Sequence, residues 1–211
     1  MQKWEELILV VPTEDVFAHV PRETCVFAGE EDLTNIQRVL QNELRIMRRG
    51  DLKDPTDPEQ NAERNEAYRQ LIPYVVIRQG DKVFRYVRIG GEARLVGQAS
   101  IGVGGHMNPV QGKDLALDYD AILTENLMRE LDEELHMQVG EATIRLIGVI
   151  NDEMNPVGRV HLGLLYEMTL CDASTVSVKE TDALIGEFVT LKEVKMGTAL
   201  ESWSSLALDV L

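Results

Sequence analysis

The stretch Arg129 to Leu135, RELDEEL, places four acids in seven residues. Carboxylates at that density are either a solvated surface or ligands for a hard cation. At about 100° per residue, Glu130, Glu133 and Glu134 share a sector roughly 100° wide on a helix, about a third of a turn from the stripe Met128, Leu131 and Leu135. They fall in the last two turns of that helix, where its partial negative charge disfavours each anion by up to about 1 kcal/mol. Glu130 and Glu134, one turn apart, repel each other by a further ~0.2–0.5 kcal/mol. A divalent cation reverses this cost. Mg²⁺ takes oxygen ligands and is held by a few carboxylates together with water and the phosphate oxygens of a substrate.

The elements that must position these acids follow from patterning. Strand Gln98–Val103 runs into Gly104-Gly105, a loop continues to Asp118, and Asp118 or Asp120 caps a helix over 121–137 with Leu127, Met128, Leu131 and Leu135 inward and Gly140 beyond its end. Flexible backbone thus lies next to the acids, where a metal or a phosphate can approach. A hairpin precedes this, IPYVVIRQ and KVFRYVRI around Gly80-Asp81. Strands over 143–150 and 160–170, a late sheet segment GEFVTL and a C-terminal helix in ESWSSLALDVL, with Trp203, Leu206 and Val210 inward, follow it. Upstream, an apolar strand at 7–11 ends at Pro12 and an amphipathic helix spans 33–49 before Gly50. The polar segment 50–70 reads as an exposed connection, so the expected organisation is an N-terminal strand-helix extension, 1–65, and a main domain, 66–211. A lone strand and helix cannot make a stable domain, so the extension is expected to pack on the main domain or to form part of a homodimer interface. Strands and helices do not alternate regularly, which gives the α+β class with a mixed sheet.

Charge and composition exclude several classes. Lys and Arg total 21 against 36 Asp and Glu, a formal charge of −15. Duplex nucleic acid, which proteins bind by neutralising phosphates with basic side chains, is not an expected partner. Cys25 and Cys171 are far apart and lack partners at metal-ligand spacing, which fits a reducing, cytoplasmic setting and neither a zinc nor a disulfide framework. No run approaches the roughly 18 apolar residues of a membrane span.

RELDEELHM resembles the core of the Nudix box, G-x5-E-x7-R-E-U-x-E-E-x-G-U with U a bulky aliphatic. Arg129, Glu130, Leu131, Glu133, Glu134 and Met137 fit it in register. QLIPYVVI and SIGVGGHMNP further resemble a branch of MutT-type phosphoesterases with an N-terminal extension. The loop half departs from the pattern. Gly105 lies 24 positions before Arg129 where the box has 14, an excess of 24 − 14 = 10, with QGKDLALDYD as the insert; Ala121 stands at the first glutamate and His136 at the closing glycine.

The resemblance implies an α/β/α sandwich and a Mg²⁺- or Mn²⁺-dependent hydrolase that cleaves the diphosphate linkage of a nucleoside-diphosphate-type small molecule. It makes Glu130, Glu133 and Glu134 metal ligands, with the Gly104 carbonyl as a further oxygen. Arg129 would orient the helix, pairing with Glu125 in place of the missing loop glutamate. A late-loop acid, Glu180 with Glu187 as competitor, would supply a further ligand or base, and the base itself is Glu133 or Glu180. Gly105 and His106 would meet the substrate phosphates. His161 in its strand reads as either a cleft residue or a satisfied sheet histidine, and His136 as a helix C-terminal cation. Arg78, Arg85 and Arg88 are either phosphate contacts or surface strand residues. Three other functions stay open: a non-catalytic nucleotide-sensing domain of the same fold, a prenyl diphosphate isomerase needing a cysteine near the acids, and a purely structural acidic helix.

Overall fold

The computed structural model describes residues 5–51, 60–90, 97–197 and 199–211; of the connection expected to be exposed at 50–70, residues 52–59 lie outside them, while Asn61, Ala62, Arg69 and Gln70 are buried because residues 68–70 already belong to a strand of the sheet. The chain forms two compact units of interleaved segments. The first comprises 1–73, 105–126 and 148–164, the second 74–104, 127–147 and 165–211. Strands β4 (Tyr68–Gln79), β9 (Ala142–Asn151) and β10 (His161–Leu170) and helix α3 (Tyr119–Glu134) contribute residues to both.

In the first unit, β1 (Leu7–Pro12) pairs antiparallel with β3 (Arg45–Arg48) and with β4, and β2 (Cys25–Phe27) pairs antiparallel with β9. The β-branched and leucine run of β1 is buried from Ile8 onward, and Ile8, Val10 and Ala62 form a cluster with Met47 and Tyr68 against it. Helix α1 (Thr13–Phe17) follows β1 directly, and α2 (Glu30–Glu43) turns Ile36, Val39 and Leu40 inward. The helix expected over 33–49 therefore starts earlier and stops at Glu43. Arg45–Arg48 is instead the strand that covers the free edge of β1, a non-local pairing that overrides local helical spacing.

In the second unit, β5 (Lys82–Arg88) pairs with β4, with β12 (Leu184–Thr190) and with the short β6 (Ala99–Ser100), while β7 (Gly102–Gly104) pairs with β4. A separate ribbon joins β8 (Leu135–Gln138) to β11 (Thr175–Val178). Helices α4 (Leu191–Met196) and α5 (Ser202–Ala207) complete it, the first opened by a Thr190–Glu193 capping box. The C-terminal helix is thus shorter than expected, with Ser204 and Ala207 its buried residues.

Strand β10 pairs with β4 and β9, and its near-continuous apolar sequence is buried on both faces. Arg69 donates to the Gly158 carbonyl, and Arg78, nine residues on, pairs with Glu167, again nine residues on. Strands β4 and β10 therefore run in the same direction amid antiparallel neighbours, and the fold is α+β with a mixed sheet. No helix among the described residues is long and apolar enough to cross a membrane.

Candidate active site

Helix α3 ends at Glu134, not at Met137. The chain leaves it directly into β8, whose pairing with β11 places Ser177 opposite His136 and Val178 opposite Leu135. His136 is therefore an exposed strand residue and not a helix C-terminal cation. The Lys179 N–H donates to the Glu134 carbonyl at 2.9 Å, and the Lys179 ammonium donates to the Asp132 carbonyl. Carbonyls that a helix end leaves without intrahelical partners are so satisfied by a distant segment. The buried stripe of α3 is Leu127 and Leu131, continued by Leu135; Met128 is nearly half exposed, since its turn of the helix lies toward solvent.

The same docking brings Glu180 to the acids. Lys179 and Glu180 follow β11, and the loop closes when the N–H groups of Ala183 and Leu184 both donate to the Glu180 carbonyl. Partial burial raises the pKa of Glu134, and the charge of Glu180 raises it further, against an opposing pull from Arg88. The competitor Glu187 lies on β12 and pairs with Arg85. Of the two late-loop acids, Glu180 is thus the one whose charge acts on Glu134.

Glu130 is buried and Glu133 mostly exposed. Arg129 bridges them, 2.8 Å from Glu130 and 3.1 Å from Glu133. The counter-charge expected from Glu125 is thus met by two acids of the proposed ligand set. Burial nonetheless raises the Glu130 pKa, with Glu133 and Glu134 adding to the shift against the pull of Arg129. Both carboxyls are thus shifted upward, and a divalent cation beside them would favour their charged forms. The donors are all oxygens, as Mg²⁺ or Mn²⁺ requires. Gly104 closes β7 opposite Tyr74 and is exposed, and Gly102 packs face-on against the Tyr74 ring.

One further residue, Glu201, was not singled out by spacing. Glu201 holds Arg88 at 3.1 Å, and its charge acts on Tyr86 as well. Burial, then Glu201, pushes the Tyr86 hydroxyl up to about 12, and that hydroxyl donates to the Gly102 carbonyl. Arg88 carried a signal in the sequence as a strand arginine. Glu201 carried none, because its role depends on where the C-terminal segment returns. Arg78 and Arg145 both bind Glu167, so Arg78 is committed to a sheet ion pair. Cys171 pairs with Ser174, and Cys25 lies in β2 with its thiol pushed up to about 11 by burial and then by Glu23 and Asp32. Among the described residues neither cysteine bonds to the acid-bearing helix.

Gly105 and His106 belong to the first unit. Met107 donates its N–H to Leu71 and accepts from Leu9, and buried Asn126 of α3 holds Asn108 through both its backbone N–H and carbonyl. The loop after Gly105 is thus pinned. The His106 Nε2 lies 2.8 Å from Gln70 Oε1 and 3.2 Å from His161 Nε2. His161 is buried in β10, where burial lowers its pKa and a bond to the Val157 carbonyl opposes this.

A mixed α+β sheet with a glutamate-lined helix end defines the class, and the chain belongs to the Nudix superfamily. It is 38% identical over 221 residues to protein YmaB of Bacillus subtilis (strain 168), the match covering all of both chains. Among solved structures it is similar to Tm1382, which carries a Nudix hydrolase assignment, at 29% identity with a TM-score of 0.72 and 97% of each chain covered. DR0079 from Deinococcus radiodurans shares the fold at 16% identity and a TM-score of 0.50, over 89% of this chain and 99% of that one. No protein-family model matches. The relationship supports a hydrolase.

Proposed function

We propose that this protein is a Mg²⁺-dependent hydrolase of a phosphoanhydride linkage in a nucleoside-diphosphate-type small molecule, with Mn²⁺ as an alternative cation. One observation supports the reading: Glu130, Glu133 and Glu134 lie in the last two turns of α3, Arg129 bridges the first two, and the charge of Glu180 acts on Glu134. Glu130, Glu133 and Glu134, with the Gly104 carbonyl, would hold the metal. Held by these residues, a divalent cation would supply charge neutralisation to the diphosphate and to the leaving phosphate. Arg129 positions Glu133 and Glu130 by bridging them. The charge of Glu180 acts on Glu134, and we assign Glu180 the proton of the attacking water, accepted at a carboxylate oxygen. Residues 1–65 are in this reading an addition to a Nudix core of 66–211.

The test is monophosphate or phosphate release over nucleotide sugars, dinucleotides and nucleoside triphosphates, with and without Mg²⁺, for wild type, Glu134→Gln and Glu180→Gln. The expected result is metal-dependent release that falls about a hundredfold or more in Glu180→Gln and whose half-saturating Mg²⁺ rises at least about tenfold in Glu134→Gln. Metal-dependent stabilisation without turnover of any compound would overturn the hydrolase reading in favour of a sensing domain.

A further inference from the structure

The described residues hold one group of three potential ligand side chains whose ligand atoms all lie within 4.8 Å of one another, and it is not the glutamates of α3: Glu63, His106 and His161. All three belong to the first unit. We propose that they form a second metal site, one that takes a first-row transition cation of the Zn²⁺ type and not Mg²⁺.

The distances carry the proposal. Two imidazole nitrogens bound about 2.0–2.1 Å from a tetrahedral metal lie roughly 3.3 Å apart. The Nε2 atoms of His106 and His161 are 3.2 Å apart. His161 Nδ1 lies 2.7 Å from the Val157 carbonyl, which can only accept, so Nδ1 carries the hydrogen and the lone pair is on Nε2, facing His106. A ligand histidine fixed by a carbonyl through its other nitrogen is the usual arrangement at a metal. Gln70 donates through its amide nitrogen to the Ala62 carbonyl, which orients its Oε1 toward His106 Nε2 at 2.8 Å. In the metal-free protein the His106 Nε2–H therefore lies between two acceptors. On metal binding that proton moves to Nδ1 and the cation takes its place, with no net change in charge on the ring.

Glu63 supplies the carboxylate. Arg49 donates to it at 3.0 Å and is itself paired with Glu6 at 3.0 Å, so two carboxylates face one guanidinium and the group keeps a net negative charge. Two nitrogens and one carboxylate oxygen select borderline transition cations over Mg²⁺, which prefers oxygen alone. Gln70 Oε1 or a water completes four-coordination.

The scaffold is rigid where it needs to be. His106 precedes Met107, whose backbone bonds to both β1 and β4; Gln70 lies in β4, His161 opens β10, and Glu63 sits in the single 3-10 turn Ala62–Arg64. His161 is buried, whereas Glu63 and His106 are only partly so, which leaves a path for the ion.

The experiment is a Co²⁺ titration of the full chain in saturating Mg²⁺, read by visible d–d absorption, with Zn²⁺ as competitor. Wild type is expected to bind a single Co²⁺ that Zn²⁺ displaces, and His106→Ala and Glu63→Gln each to weaken binding at least about tenfold. Glu130→Gln is expected to leave the Co²⁺ spectrum unchanged. A spectrum absent in wild type, or insensitive to His106→Ala and Glu63→Gln, would overturn the proposal. A second measurement needs no variant: on Zn²⁺ addition, the ring ¹⁵N resonances of two of the four histidines are expected to shift, and the proposal fails if none moves.

Discussion

Glu130 and Glu134 are ligand candidates whose charged forms the metal-free protein disfavours. Their folded pKa values lie above the ordinary carboxylate value of 4.5. Between the unfolded and folded values the native state binds more protons, so stability falls as pH rises through that window. Glu134→Gln is therefore expected to raise the melting temperature in EDTA at pH 7.5 and to change it little at pH 4, with the opposite order once Mg²⁺ is added. Equal shifts at both pH values would show that the charge is not responsible. Arg69 presents the converse. Its side chain is fully buried, bonded to the Gly158 carbonyl and paired with Glu153, whose pKa burial would raise but which Arg69, Asn151 and Arg22 hold low. Truncation to Ala leaves Glu153 without its buried partner and is expected to cost about 3–5 kcal/mol in denaturant unfolding.

Among the elements, the short strands around Gly102 are packed to the limit. A Cβ at Gly102 would lie 2.2 Å from the Tyr74 ring. That ring cannot step aside, because its hydroxyl bonds to Ser204 at 2.7 Å and Ser100 at 3.1 Å and Trp203 abuts its edge. Gly102→Ala is expected to destabilise by about 1–3 kcal/mol, the usual cost of overpacking, and to lower activity through β7 and Gly104. Circular dichroism melts and the phosphate-release assay read the two effects. Unchanged stability would mean that β7 yields more easily than its contacts imply. Helix boundaries were less legible than helix faces. The acid sector of α3 follows from periodicity alone, whereas its end at Glu134 depends on β11, a four-residue TVSV strand with little local signal.

For the whole molecule, residues N-terminal to the connection are structural partners of later ones. Strand β1 bonds to β4 and to Met107, and Ile8, Val10, Ile36 and Leu40 are buried. Deleting residues 1–50 removes three strands and two helices from the first unit and is expected to leave an insoluble or unfolded chain; a soluble product with a cooperative melt would contradict this. The first compact unit gathers segments from both sides of residue 65, whereas the second lies wholly C-terminal to it.

From the sequence alone came the α+β class, the hairpin, the Nudix resemblance and the acid sector of the helix, since these rest on periodicity and spacing along the chain. Tertiary structure alone decided that the charge of Glu180 acts on Glu134 while Glu187 pairs with Arg85, that Arg129 bridges Glu130 and Glu133, that Glu201 holds Arg88, and that Glu63, His106 and His161 meet. Those pairings join residues up to 113 positions apart. They form because strand register and burial, summed over many non-local contacts, set each side chain's neighbours, and no local pattern encodes such a register.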